Sequence, residues 1–211
     1  MRCDKSMMQL YAVTDRTWLG AHTLYEQVEE ALKGGVTCVQ LREKYLPEAE
    51  FLAEAFSIRE LCKRYGVPFI INDNLDIAQK CGADGVHVGQ EDMHPDEARQ
   101  RVGDGMIIGV TAHTVAEAVE AEKRGADYLG AGAVFQTGTK SNTVALPYET
   151  LCEICASVQI PVVAIGGISR TNLMSLSGSG VSGVAVVSAV FAAADVRRAA
   201  SELLDLSRKM T

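Results

Sequence analysis

Short apolar runs rich in β-branched residues alternate with longer stretches of helical periodicity along the whole chain. The runs Gln9–Val13, Cys38–Leu41, Phe69–Ile71, Gly85–Val88, Ile107–Val110, Tyr128–Ala131, Val162–Ile165 and Gly183–Val187 predict eight strands. Several are apolar throughout, as parallel strands covered on both faces are. Between them, Thr23–Glu26 and Thr114–Glu117 read as capping boxes, in which the threonine oxygen accepts a first-turn amide and the glutamate reaches back to the cap. Pro47 and Pro95 stand where a first helical turn tolerates proline, with Glu48 and Asp96/Glu97 following at the positive helix end. Over Glu48–Tyr65 the apolar positions Phe51, Leu52, Ala55, Phe56, Leu61, Cys62 and Tyr65 keep a helical period. Gly34/Gly35, Gly66, Gly82 and Gly125 end helices just before the next strand.

Eight strand–helix units without a linker or low-complexity break predict an α/β fold, a single (β/α)8 TIM barrel spanning residues 1–211. A doubly wound open sheet is the alternative. In a barrel of this kind the active site lies at the carboxyl ends of the strands, in the loops that lead into the helices.

Composition narrows the partners. Lys plus Arg is 20 and Asp plus Glu is 27, a net charge of −7 that argues against a protein coating nucleic acid or an anionic membrane. A small anionic ligand in a locally positive pocket stays compatible with it. No signal peptide is expected, and the charge-free run from Thr171 to Ala194 carries too many glycines and serines to span a membrane. The six cysteines are scattered, as thiols in a reducing cytoplasm are. Cys152-Glu-Ile-Cys155 has no second CxxC to complete a zinc site.

The strand-end loops concentrate polar chemistry. Gly166-Gly167 after the seventh strand, with Ser188 after the eighth, suits the usual phosphate seat of this fold, where amides point at oxygen. The alternative is a tight strand–helix corner. Asp73 and Asp92 end adjacent strands, so they read either as helix caps or as two oxygen ligands for Mg²⁺ beside a phosphorylated substrate. Arg42, Lys44 and Lys140 share that rim, as solvated charges or as a polyphosphate cradle. His87 reads as a packed, hydrogen-bonded histidine and His113 as a supporting residue, while His22 and His94 have no expected catalytic role. Gly178-Ser-Gly180-Val-Ser-Gly183 matches GxGxxG but precedes its strand, which removes the dinucleotide-binding context.

In order, each at a strand end, stand Tyr11-Ala-Val-Thr-Asp15, Val39-Gln-Leu-Arg-Glu-Lys44, Phe69-Ile-Ile-Asn-Asp73, Gly82 to Gln90 with Asp92, Gly109-Val-Thr-Ala-His113, Thr137 to Lys140, Ile165-Gly-Gly-Ile168 and Val186-Val-Ser188. Together they resemble the thiamine phosphate synthase family across essentially the whole chain. The resemblance implies a transferase joining 4-amino-2-methyl-5-hydroxymethylpyrimidine diphosphate to 4-methyl-5-(2-phosphoethyl)thiazole, or its carboxylated form, with release of pyrophosphate. It implies that Gln40, Leu41, Arg42, Glu43, Lys44, Asn72, Thr111 and Lys140 bind the pyrimidine diphosphate, with Arg42, Lys44, Lys140 and Thr111 catalytic. Thr137, Gly138, Thr139, Gly167, Val187 and Ser188 would bind the thiazole phosphate, and Asp73 and Asp92 would hold one Mg²⁺ per subunit. The implied partners are two small phosphorylated heterocycles, with neither nucleic acid nor membrane. The oligomeric state, a homo-oligomer included, and the choice between Mg²⁺ and Mn²⁺ stay open.

Thr111 stands where the family often has serine, and Ala133 and Gln136 where prolines are common. A related thiazole tautomerase would need an acid–base residue, typically histidine, at the place of Ala133. A non-catalytic phosphate-binding barrel would not require Asp73, Asp92 and Lys140 together.

Overall fold

The computed structural model describes residues 3–89, 93–136 and 145–211. Its strands are β1 (Leu10–Val13), β2 (Cys38–Leu41), β3 (Phe69–Asn72), β4 (Gly85–Val88), β5 (Ile107–Ala112), β6 (Tyr128–Gly132), β7 (Val162–Ile165) and β8 (Gly183–Val186). All are parallel and pair in sequence order, and β8 closes back on β1 through Tyr11↔Ala185. This is a (β/α)8 barrel, and the closure excludes the open doubly wound sheet. β5 runs past its expected end and carries Thr111 within the strand.

Alternation along each strand divides the side chains. Tyr11, Cys38, Ile70, Ile107, Tyr128 and Val163 point into the barrel and pack with Met8. Their neighbours Leu10, Val39, Ile71, Ile108, Leu129 and Ala164 belong to the larger core beneath the helices. Both faces are dry, which is why the strands read as unbroken apolar runs. A 3₁₀ turn, Lys5–Met8, leads into β1, with Met8 fully buried. Gly183 makes room for that turn, since a Cβ there would lie 2.0 Å from the Met8 carbonyl oxygen.

The helices between the strands are α1 (Leu24–Lys33), α2 (Glu48–Tyr65), α3 (Leu75–Cys81), α4 (Pro95–Val102), α5 (Val115–Lys123) and α6 (Tyr148–Ser157). Short α7 (Ser188–Phe191) and long α8 (Val196–Met210) follow β8. The capping box at Thr23 and Glu26 is complete. At α5, Thr114 accepts from the Glu117 amide, but Glu117 reaches one residue further back and accepts from His113 N–H at 2.7 Å. α2 ends at Gly66 in the left-handed region, φ 66°. It buries the helical row Phe51, Ala55, Ile58 and Cys62, with Leu61 beside it, whereas Phe56 and Tyr65, expected inside, are 45% and 38% exposed. Phe56 is one residue off that row and Tyr65 is the last residue of the helix.

The crossover from β7 to β8 departs from the expected strand–helix unit. It holds only a 3₁₀ turn, Leu173–Leu176. The Ser175 and Ser179 hydroxyls donate to the Asn172 and Leu176 carbonyls, and Gly178 and Gly180 adopt positive φ, so a full helix does not form. Leu173 and Leu176 still bury their side chains against the core. Among the described residues no helix is long and apolar enough to cross a membrane, and all six cysteines are free thiols.

Candidate active site

On β2 to β6 the inward positions nearest the carboxyl ends are Gln40, Asn72, His87, Thr111, Gly130 and Gly132, polar or without a side chain, while Val13, Ile165 and Ala185 on β1, β7 and β8 add an apolar side. Between the two sides a cavity of about 150 Å³ opens.

Its floor is a continuous chain of hydrogen bonds across the barrel. Gln40 Nε2 donates to the Tyr11 hydroxyl at 2.8 Å. The Tyr11 and Tyr128 hydroxyls are 2.8 Å apart, and Tyr128 Oη lies 2.9 Å from His87 Nδ1. His87 Nε2 then meets Thr111 Oγ1 at 3.0 Å. Two glycines make space for the rings. A Cβ at Gly109 would fall 2.1 Å from Tyr128 Cζ, and one at Gly130 would press on His87 Cε1 at 3.2 Å. Burial pushes both tyrosine hydroxyls well above their ordinary pKa, so they stay neutral phenols.

The rim above is charged. The Arg42 amide donates to Thr14 Oγ1 at 3.0 Å, and its guanidinium lies 3.7 Å from Asp15. Lys44 Nζ donates to Asp73 Oδ2 at 2.5 Å. Asp73 is the one non-glycine with positive φ among the described residues, at 60°, and its amide donates to the His87 carbonyl at 2.8 Å. Aspartate tolerates this conformation better than most residues, and such a held outlier directs attention to its carboxylate. On the opposite flank Gly166 and Gly167 have φ 103° and 64°. A Cβ at Gly167 would lie 2.3 Å from the Gln136 carbonyl oxygen. The Gly132–Ala133 peptide beside them is cis.

The cavity brings together Gln40, Arg42, Asn72 and Thr111 with Gly167, Val187 and Ser188. Lys44 and Asp73 pair at the same end of the barrel, just outside its lining. Two expected ligands do not turn towards it. Leu41 follows inward-facing Gln40, so alternation sends its side chain into the outer core, where it is fully buried. Glu43, 4% exposed, is held by Arg16 Nε at 2.8 Å, and Arg16 Nη2 also pairs with Glu54 at 2.6 Å. Burial and the facing Glu54 push the Glu43 carboxyl up to about 7. Asp92, Thr137, Gly138, Thr139 and Lys140 lie outside the described residues. Sequence reasoning gave Tyr11, Tyr128 and Asp15 no role in the site, although a tyrosine at an inward strand position must find a partner for its hydroxyl.

Known proteins share both the sequence and the fold. Residues 10–190 match the family model described as thiamine monophosphate synthase. The thiamine-phosphate synthase of Ruminiclostridium cellulolyticum is 46% identical over 197 residues, covering 93% of this chain and 94% of its own. That of Clostridium acetobutylicum is 45% identical over 201 residues, 95% of each chain. The solved thiamine phosphate pyrophosphorylase from Pyrococcus furiosus superposes with a TM-score of 0.89 at 41% identity over 98% of both chains. Matched over most of its length by model, sequence and structure alike, the chain belongs to the thiamine monophosphate synthase family of transferases.

Proposed function

We propose that this barrel couples hydroxymethylpyrimidine diphosphate to the phosphorylated hydroxyethylthiazole, releasing thiamine phosphate and pyrophosphate. The observation that carries the reading is the two-sided cavity, with amide, hydroxyl and guanidinium groups on Gln40, Asn72, Thr111 and Arg42 facing a bare glycine flank at Gly166–Gly167. The first side suits a polar heterocycle and its diphosphate, and the second suits a phosphate approached by backbone amides.

The chemistry asks little proton transfer of the protein. The thiazole nitrogen is an aromatic lone pair without a proton. It forms a C–N bond to the pyrimidine methylene carbon while the C–O bond to the diphosphate breaks and pyrophosphate takes the electron pair. The aminopyrimidine stabilises positive charge at that carbon, so a dissociative path is open, and the barrier is mainly separation of charge. Arg42 and Lys44, with Lys140, would hold the departing anion. Asp73 offers a hard carboxylate oxygen on a fixed backbone, a donor that suits Mg²⁺ held by one or two carboxylates and substrate phosphates, with Asp92 as its companion. Bound there, the metal ion would neutralise charge on the leaving group. Ala133, buried at the place where a tautomerase would need histidine, favours the synthase. The free thiols suit a reducing cytoplasm.

Purified protein supplied with Mg²⁺ and both phosphorylated heterocycles is expected to form thiamine phosphate; absence of product overturns the reading. Undiminished product from the Asp73→Ala, Asp92→Ala double variant would remove the metal role alone.

A further inference from the structure

Arg42 and Lys44 flank a carboxyl residue, Glu43, that is turned away from the cavity. The segment after β2 has no regular secondary structure, and among the described residues no backbone–backbone hydrogen bond reaches residues 43–46. Side chains therefore hold it. The Arg42 amide rests on Thr14, Lys44 on Asp73, and Glu43 on Arg16. The Lys44 side chain is 41% exposed, whereas that of Glu43 is 4% exposed, so Glu43 is the buried pin of the segment. Arg16 opens the turn after β1 and donates from Nε to Glu43 and from Nη2 to Glu54 of α2. The two carboxyls face each other at hydrogen-bonding range. Each has one oxygen on the guanidinium, and Glu54 Oε2 is buried without a hydrogen-bond partner. Arg42 turns to Asp15 and Lys44 to Asp73, so among the described residues Arg16 and Glu54 are the charged groups that face Glu43. With both carboxyls ionised, one guanidinium would meet two largely buried charges, and two oxygens would repel. One proton removes the excess charge and gives the buried oxygen its missing donor.

We propose that Glu43 is a positioning residue: it shares one proton with Glu54 against the Arg16 guanidinium, and this closed triad fixes the segment that presents Arg42 and Lys44 to the departing diphosphate. The proposal rests on the function proposed above. Glu43 acts through its two neighbours and does not touch the substrate. Burial and the facing Glu54 raise its carboxyl to about 7, in keeping with a proton held near neutral pH. Loss of that proton as pH rises restores the repulsion, loosens the segment and weakens the hold on the diphosphate. The glycine flank at Gly166–Gly167 lies across the barrel and is untouched by it. Glutamine at position 43 reproduces the protonated form, because its carbonyl accepts from Arg16 and its amide donates to Glu54, but it does not titrate.

Carbon-13 NMR of the glutamate carboxyls in the ligand-free protein, with Glu43 assigned by Glu43→Gln, reads the proton directly. Glu43 is expected to titrate near pH 7. A carboxylate already ionised at about pH 5.5 overturns the proposal. In Glu54→Ala the midpoint is expected to fall, because the like charge is gone while Arg16 stays; an unmoved midpoint overturns the shared proton. Glu43→Ala is expected to raise KM for the pyrimidine diphosphate about tenfold and to leave KM for the thiazole phosphate as it is. Equal changes in both, as from a loosened fold, overturn it. Glu43→Gln should match the wild type at about pH 6 and keep its KM to about pH 8, where that of the wild type rises severalfold; comparison at each pH cancels ionisation of the substrate itself. Wild type and Glu43→Gln tracking each other across that range also overturn the proposal. If Glu43→Ala does not fold, Arg16→Met serves, and the same KM should rise alone. If no preparation forms thiamine phosphate, the proposed function falls. The carbon-13 titration then decides the pin, together with hydrogen exchange at the Arg42 amide, which should be faster in Arg16→Met than in Glu43→Gln.

Discussion

The floor and the rim of the cavity solve different problems with different chemistry. The floor is largely buried and hydrogen-bonded throughout, a row of amide, phenol, imidazole and hydroxyl groups within 3.0 Å of one another. The rim is ionic and wetter, with Lys44 on Asp73, Arg42 near Asp15, and Arg16 between Glu43 and Glu54. Burying a neutral group costs little once it is hydrogen-bonded, whereas burying an ion costs several kcal/mol unless it is well paired. A hydrogen-bonded polar floor is therefore cheap inside the barrel, and charge is cheap at its mouth. A chain of net charge −7 can still present cations there, because only a few are required and the strand ends gather them.

The contrast can be broken most forcefully at the rim. Arg42→Ala is expected to lower kcat/KM about 10²-fold, or about 3 kcal/mol of transition-state stabilisation, with little change in melting temperature. A loss of stability without loss of rate would mean that the rim is scaffold after all. On the floor the order reverses. Gly109→Ala drives a Cβ into the Tyr128 ring and is expected to cost about 1–3 kcal/mol of stability, read as a lower melting temperature. An unchanged melting temperature would show that the ring has room to move.

Gly167→Ala strains a positive-φ position and meets the Gln136 carbonyl, so KM for the thiazole phosphate is expected to rise several-fold while KM for the pyrimidine diphosphate holds. Glu43 gives a smaller, pH-dependent effect. Its carboxyl is raised from 4.5 to about 7, so the folded state binds the proton more tightly than the unfolded chain. The associated stability is present at low pH and fades as pH rises from about 4.5 through about 7. Chemical denaturation across that window should show the slope, and Glu43→Gln should flatten it. Least of all is expected from Lys33→Ala, which removes an exposed pair with Glu29 and Glu30 far from the cavity. Rate and melting temperature should not move, and a change in either would mean that exposed pairs matter more than the comparison allows.

The architecture was legible because strands dry on both faces leave apolar runs, and because Gly66 and Gly82 mark helix ends with left-handed backbone. Gln40, Arg42, Asn72 and Thr111 were legible as strand-end polar residues, which this fold gathers by topology alone. What stayed hidden depended on direction or distance. Leu41 and Glu43 sit in the same short segment as Gln40 and Arg42, yet alternation and Arg16 turn them away. The Tyr11–Tyr128 bond joins residues 117 apart in sequence, so no local pattern announces it. The crossover before β8, counted as a strand–helix unit like the others, holds only a 3₁₀ turn, because Ser175 and Ser179 hold backbone carbonyls in a way that a count of alternating segments does not register.

The absent Cβ atoms at Gly109, Gly130, Gly132 and Gly167 sculpt the interior by subtraction. A substitution at Gly109 or Gly132 would put a methyl group within 2.1 Å of a ring or a carbonyl on a neighbouring strand. At Gly105 an added Cβ would meet only open space. Evolutionary drift in this barrel should accordingly follow shape and not chemistry: the smallest residues of the inner strands are its least negotiable, and a glycine of the outer loops is among its most permissive.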